Sequence, residues 1–351
     1  MRIGTKELQE MLGCLSKVRP NATLEITSYT ELNFTKDKLV LNATDGNNFI
    51  SAYRDIENEE ELSIIIKTDQ FTKLVNRTTS DYIDITPHKD YIKIKGNGSY
   101  KIEILQDEEY PKPPINLESA VTSKDCWTYL LQHGLTIGKN IKSVTAADGV
   151  LFGYLLRDGK VITGDSTKIA VSDFECNGME LLIPPVLATL IGSVKSEKCD
   201  LYIDNNNMLL VRGKGIEVCG QLMEGIEEYP NVLPIIETPQ PCTCKVGTQE
   251  LSKALDRIGL FVSDYDMNLI SVGFSEGAII IENATKSYET LEVTEQHGHM
   301  DIVYDININI LKDVISVIGS PTIEIGYGEM DVLKITTDEE IMMLATTDEE
   351  V

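Results

Sequence analysis

Apolar residues recur at helical spacing in six stretches of this chain, and at a spacing of two in the stretches between them. Leu8, Met11, Leu12 and Leu15 fall on one face of a helix over 5–17. Phe71, Leu74 and Val75 do so over 67–79, and Leu187, Leu190, Ile191 and Val194 over 184–198, where Pro184-Pro185 suits a first turn. Ile310, Val314, Ile315 and Ile318 define a helix over 307–318 that Asn307 is placed to cap. Helices over 123–136 and 248–258 complete the set. Residues 81–105 alternate differently: Ile83, Ile85, Ile92, Ile94, Ile102 and Ile104 are interleaved with polar side chains, as in strands with one face buried and one solvated. Short strands are also predicted over 23–26, 38–41, 150–156, 160–163, 169–174, 269–274 and 278–282, with meanders over 199–223 and 321–345.

This order of elements repeats. Thr5-Lys6-Glu7-Leu8 with Leu12 and Leu15 returns as Thr248-Gln249-Glu250-Leu251 with Leu255 and Ile258, displaced by 243 residues. Glu109-Tyr110-Pro111 returns as Glu228-Tyr229-Pro230, displaced by 119, and Ala43-Thr44-Asp45-Gly46 is echoed by Thr163-Gly164-Asp165-Ser166. Each offset is close to one or two thirds of 351 residues. A period this long means duplicated domains, because solenoids and propellers repeat at shorter intervals. The expectation is three α+β domains, 1–117, 118–241 and 242–351, each reading helix–sheet–helix–sheet. The proline-rich segments 111–114 and 234–241 are expected to be extended, stiff linkers.

Composition narrows the classes. The hydrophobic share of 42% and charged share of 25% are those of a globular protein. No apolar run approaches a membrane span, and the first residues do not read as a secretory signal. Seven scattered cysteines read as reduced thiols, so a cytoplasmic location is expected. The net charge of -25 argues against simple nucleic-acid binding. The six predicted helices, however, hold 11 basic and 8 acidic residues, leaving 20 basic and 48 acidic elsewhere. One mildly basic surface could then face a polyanion while the remainder repels it.

Signals for chemistry are weak. His297-Gly298-His299 has no third ligand at recognisable spacing, and Cys242-Thr243-Cys244 is not a paired zinc knuckle. Phosphate-binding glycine loops are missing, and Gly164-Asp165-Ser166 lacks the flanking pattern of a hydrolase elbow. No metal, no cofactor and no catalytic residue is assigned; the chain reads as a non-enzyme.

The threefold unit resembles the bacterial DNA sliding clamp, the beta subunit of replicative DNA polymerase III, along the whole chain. Leu151-Phe152-Gly153 followed by Gly164-Asp165-Ser166-Thr167-Lys168-Ile169-Ala170-Val171 looks like that family's "ATDGHRLAV" strand and turn. Glu228-Tyr229-Pro230 with Val232-Leu233-Pro234 is similar to its "FPDY..VLP" segment. Phe274-Ser275-Glu276-Gly277 with Glu282-Asn283-Ala284 is similar to "SE..L.I.AN", and Ile341-Met342-Met343-Leu344 to the terminal "VVMPM". The resemblance implies a head-to-tail homodimeric ring around duplex DNA that tethers a replicative polymerase, a clamp loader and other proteins. It also implies a partner-peptide pocket between domains two and three. Matching positions are Leu151, Gly164, Ser166, Thr167, Lys168, Ile169, Pro230, Val232, Met267, Asn307, Ile310, Met330, Val332, Ile341, Met342, Met343 and Leu344. The dimer seam would pair Tyr100 and Ile102 with Phe261 and Val262 of a second copy. The DNA-facing positions would be Arg19, Lys73, Arg77, Lys142, Lys195 and Lys198.

Departures from the family pattern concentrate at the pocket. Thr167-Lys168 stands where the family has His-Arg, Leu344 replaces a proline, and residues 346–351 form an acidic extension. Pro184-Pro185 stands where a basic residue is common. Two other readings compete: an acidic DNA mimic, which the charge supports and the repetition does not, and an enzyme, which would need polar residues of perturbed acidity clustered in a cleft.

Overall fold

The structure is a computed structural model that describes residues 1–58, 61–174, 178–328 and 331–346. Seven α-helices occur among them: α1 (Thr5–Leu15), α2 (Thr68–Asn76), α3 (Thr128–Ile141), α4 (Pro185–Ile191), α5 (Leu233–Glu237), α6 (Thr248–Gly259) and α7 (Ile308–Val317). None is long and apolar enough to cross a membrane. The chain divides into two compact units. One is Met1–Tyr129 with Ile183–Met223, the other Leu130–Leu182 with Glu224–Val351.

The internal repeat is visible in packing. Leu8, Met11, Leu12 and Leu15 of α1 are at most 1% exposed, and their counterparts Leu251, Ala254, Leu255 and Ile258 of α6 at most 3%. A strand runs straight into the helix each time: Arg2–Gly4 into Thr5, Val121–Trp127 into Thr128, Cys242–Gly247 into Thr248. Each of those threonines is buried. The aspartate turns match as well. Asp45 Oδ1 accepts from the Asn47 and Asn48 N–H groups at 2.9 and 2.7 Å, and Asp165 Oδ1 from those of Thr167 and Lys168 at 2.8 Å. This local bond holds a tight strand-to-strand turn, and Asn283 does the same between Ala278–Asn283 and Tyr288–Glu292, accepting from the Thr285 and Ser287 N–H groups at 3.0 Å.

Sheets join across the repeats. In the first unit, Asn48–Asp55 pairs antiparallel with Ile216–Gln221, fusing two meanders into an eight-stranded sheet. In the second, Lys168–Asp173 pairs antiparallel with Glu340–Ala345 in a nine-stranded sheet. Both joints use the last strand of each meander. α1 and α4 pack at the first joint, and α7 at the second. Two four-stranded sheets remain separate, ending in the open strands Ser99–Glu103 and Tyr288–Glu292.

Several expectations need correction. The helix predicted over 123–136 is α3, beginning at Thr128; Lys124 and Asp125 lie instead on an irregular strand where Asp125 has φ 57°. The helix predicted over 184–198 ends at Ile191, because Gly192 and Ser193 are weak helix formers and pass into tight turns. Lys198 therefore opens a strand. Residues 25–28 form a 3-10 turn rather than strand, as do 146–152 before the strand Tyr154–Arg157. Pro234 sits in the first turn of α5, so that linker is not extended throughout.

The charge partition also changes. The observed helices carry six basic residues, Lys6, Lys73, Lys139, Lys253, Arg257 and Lys312, against seven acidic ones, Glu7, Glu10, Asp69, Glu237, Glu250, Asp256 and Asp313. The helices are thus near neutral; Lys17, Arg19, Arg77 and Lys195 lie within four residues past helix ends, and Lys198 at the start of a strand.

Candidate partner-binding site

Register separates the two faces of the sheet formed by Lys168–Asp173, Val332–Thr336 and Glu340–Ala345. Ile169 lies opposite Met343, which lies opposite Lys334; Val171 lies opposite Ile341, and Ala345 opposite Val332. Directly paired residues share a face, so these side chains lie together on one side. Lys168, Ala170, Met342 and Leu344 point to the other. There Ala170, Met342 and Leu344 belong to the same core as Leu311, Val314 and Ile315 of α7.

This division sorts the predicted pocket. Ile169, Val332 and Ile341 are half-buried around Met343, which is 3% exposed. Met342 and Leu344, placed in the pocket on sequence resemblance, are core residues at 0% exposure. The reason is the strand period of two: four consecutive residues cannot all line one groove. Lys168 also faces inward, 3% exposed, with its ammonium 3.3 Å from Asp165 and 3.9 Å from Asp313. Burial alone pushes the Asp165 carboxyl up; the N–H groups of Ser143 and Thr167, the Thr167 hydroxyl and the Lys168 charge outweigh it and hold the carboxyl below its ordinary value.

Gly164, opposite Ile169, leaves that side chain uncovered. A Cβ there would lie 2.9 Å from the Lys168 carbonyl and 3.3 Å from Ile169, so only glycine keeps both the turn and the opening. Ser166 is exposed at the turn, and the half-buried Thr167 donates its hydroxyl to Asp165 at 2.8 Å. Leu151 and Val232 are half-buried and Pro230 exposed. Val171, Lys334 and Ala345 share the face of Ile169 and Ile341 and are not among the residues expected from the sequence, although alternation along each strand identifies them.

A second group lies at the start of α7. Asn307 accepts from the Asn309 N–H at 2.9 Å, capping the helix as expected, and donates to the Met267 carbonyl at 3.0 Å. Ile310 packs partly buried on the same core. Met267 is 69% exposed in a left-handed conformation with φ 53°, a costly arrangement for a large side chain and one that concentrates at functional positions. Met330 lies outside the described residues.

The first unit contains the equivalent of this sheet face, covered by other side chains. Phe49, opposite Cys219, is 7% exposed, and Ile115 and Tyr202 pack over the cluster they form with Met208 and Leu210. The linker is held there by the Asn116 N–H donating to Asp204 at 2.9 Å.

The open strand edges carry the other predicted contacts. Tyr100 is 45% exposed on Ser99–Glu103, whereas the Ile102 side chain is 2% exposed and packs within its own sheet. Phe261 is 61% exposed, beside the equally apolar and exposed Leu260, and Val262 is half-buried. The Phe261 carbonyl accepts from Asn283, at the turn leading to Tyr288–Glu292. Arg257 of α6 pairs with Glu289 of that edge strand. On the other edge, Lys73, Leu74, Arg77, Asn97 and Tyr100 line a cavity of about 340 Å³.

Of the cations predicted to face DNA, Arg19, Arg77, Lys195 and Lys198 are exposed, Lys198 stacking 4.9 Å over Trp127. Lys73 is exposed and paired with Asp69 at 2.8 Å. Lys142 does not belong with them. Its ammonium donates to the Leu151, Phe152 and Gly153 carbonyls at 3.2, 2.7 and 2.8 Å and lies 3.9 Å from the Tyr154 ring centre. Burial lowers its pKa from 10.5 to about 8. Between these two values the unfolded chain keeps a proton that the folded chain has released, so stability contributed by this group rises with pH across that window. Urea unfolding is expected to show wild type gaining on Lys142→Met from pH 8 to 10.5, with no such drift below pH 7.

Residues 2–114 match the family model described as DNA polymerase III beta subunit, N-terminal domain. No curated protein matches the chain. Among solved structures, the DNA polymerase III beta subunit of Borrelia burgdorferi is 17% identical with TM-score 0.84, and covers 99% of both chains. A sliding clamp of Pseudomonas aeruginosa, solved with griselimycin, is 16% identical with TM-score 0.85, and the Helicobacter pylori beta clamp, solved with a DNA ligase peptide, 14% with 0.82; each covers 99% of both chains. The chain has the sliding-clamp fold.

Proposed function

We propose that this chain is a DNA sliding clamp, three domains spanning 1–117, 118–241 and 242–351, two copies of which close head to tail around duplex DNA. The observation that carries this reading is the set of sheet joints. Two junctions within the chain are made by pairing the last strands of adjacent meanders, with helices packed at the joint. One pair of such edges is left over, Ser99–Glu103 beside α2 and Tyr288–Glu292 beside α6. A second copy supplies the third kind of junction twice, hiding every open edge of this kind. Exposed Tyr100, Leu260, Phe261 and Tyr288 then become buried apolar contacts.

The role needs no bond chemistry. A closed ring holds DNA by topology, and base-specific contacts would only retard sliding. The exposed cations Arg19, Arg77, Lys195 and Lys198 are the proposed phosphate contacts, and the acidic remainder discourages side-on binding. The groove around Ile169, Val332, Ile341 and Met343 takes a short partner peptide through apolar anchors. Its filled counterpart beside Phe49 explains why one junction per subunit, not two, would accept partners.

The near-neutral helices favour an acidic DNA mimic on that single point. Retention on DNA separates the two. Loaded by a matched clamp loader onto nicked circular DNA, the protein is expected to stay on circles, to be lost when the circle is cut once, and to persist on linear DNA with blocked ends. Retention regardless of ends would mean direct binding and overturn the topological reading; competition with DNA for its binding proteins would indicate the mimic.

A further inference from the structure

We propose that His133, Glu339 and Glu340 form a site for a divalent transition-metal cation that fastens α3 to the strand Glu340–Ala345. These residues stand 206 and 207 positions apart in the chain, yet His133 Nε2 lies 3.0 Å from Glu340 Oε2 and 3.5 Å from Glu339 Oε2. One ligand atom from each falls within 4.8 Å of the others. Bonds of about 2.0–2.1 Å in a tetrahedral shell place neighbouring ligand atoms about 3.3 Å apart, and the two measured separations bracket that value.

Burial supplies the second reason. The Glu340 side chain is 3% exposed and the His133 side chain 18%, and among the described residues no lysine or arginine pairs with Glu340. A carboxylate removed from water demands a compensating positive charge, which a bound dication provides in full. The Glu339 side chain, 53% exposed, leaves the outer side open to water as a further ligand. Thr337 Oγ1 accepts from the Glu339 and Glu340 N–H groups at 3.2 and 3.1 Å, which sets both residues at the start of the strand before any ion arrives. One imidazole with two carboxylates suits Zn²⁺, Co²⁺ or Ni²⁺, and not Mg²⁺ or Ca²⁺, which prefer all-oxygen shells. The neighbouring residue is Ile341, so an ion here would stiffen the strand that lines the proposed groove.

Titration of the full chain with Co²⁺ alone, followed by visible absorbance, and with Zn²⁺, followed by calorimetry and thermal unfolding, tests this without reference to clamp activity. One ion per chain is expected, with an affinity at least tenfold weaker in His133→Gln and in Glu339→Gln, and unchanged in a His297→Gln/His299→Gln control. Glu339→Gln alters only the exposed ligand, so its fold is safe even if the buried pair tolerates no change. Absence of saturable binding in wild type, or binding that survives both substitutions undiminished, overturns the site and leaves a plain histidine–carboxylate ion pair.

Discussion

Ile169→Asp combined with Ile341→Asp is expected to abolish capture of clamp-binding peptides, a loss of a hundredfold or more in affinity, while the protein stays folded. Both side chains are half-buried on one face of the joined sheet, where Met343, two residues on from Ile341 in the same strand, lies opposite Ile169. Solvent already reaches both positions, so an aspartate is hydrated in the free protein and the fold is spared. When a peptide covers the groove, the same carboxylates are stripped of water with no partner, at about 1–3 kcal/mol or more each. Fluorescence anisotropy of a labelled clamp-binding peptide measures the affinity, and circular dichroism the melting temperature. Unchanged affinity with an intact fold would remove the groove from this face. Met343→Asp is a poor test by comparison. That side chain is 3% exposed, and a charge there would disrupt the sheet itself.

Tyr100→Glu with Phe261→Glu is expected to convert a dimer of about twice 39.0 kDa into 39.0 kDa monomers. Each side chain is exposed in the single chain, at 45% and 61%, so the substitutions cost little to a monomer. At a closed seam each introduces an unpaired charge against apolar surface, on both interfaces of the ring. Sedimentation equilibrium distinguishes the outcomes, and a double variant that remains dimeric would exclude this seam. Ile102 is left untouched, because it holds its own sheet together from the inside.

Locally encoded features were the legible ones. The apolar stripes of α1 and α6 were read to within two residues of their ends, because a helix that buries one face must place leucine or isoleucine every three or four positions. The aspartate turns at 45 and 165 were legible for a similar reason: their bonds span two or three residues. The start of α3 was misplaced by five residues, although Thr128 repeats the position of Thr5 and Thr248; a strand bulged at Asp125 disguised the period. Lys142 was misassigned because its partners, three carbonyls of an irregular turn, leave no mark on composition.

By itself the sequence determined the repeat, the kinds of element and their order, since each follows from side-chain periodicity and short-range hydrogen bonding. Which face of a strand lines a groove, which cations remain free for DNA and which edges stay open were decided only by tertiary structure. The sheet face depends on a segment far along the chain, since Met343 opposite Ile169 is 174 residues on, and the linker over Phe49 is held by Asn116 bonding to Asp204, 88 residues on. Such contacts are set by which sheets join, and the pattern along any one segment carries no record of that choice.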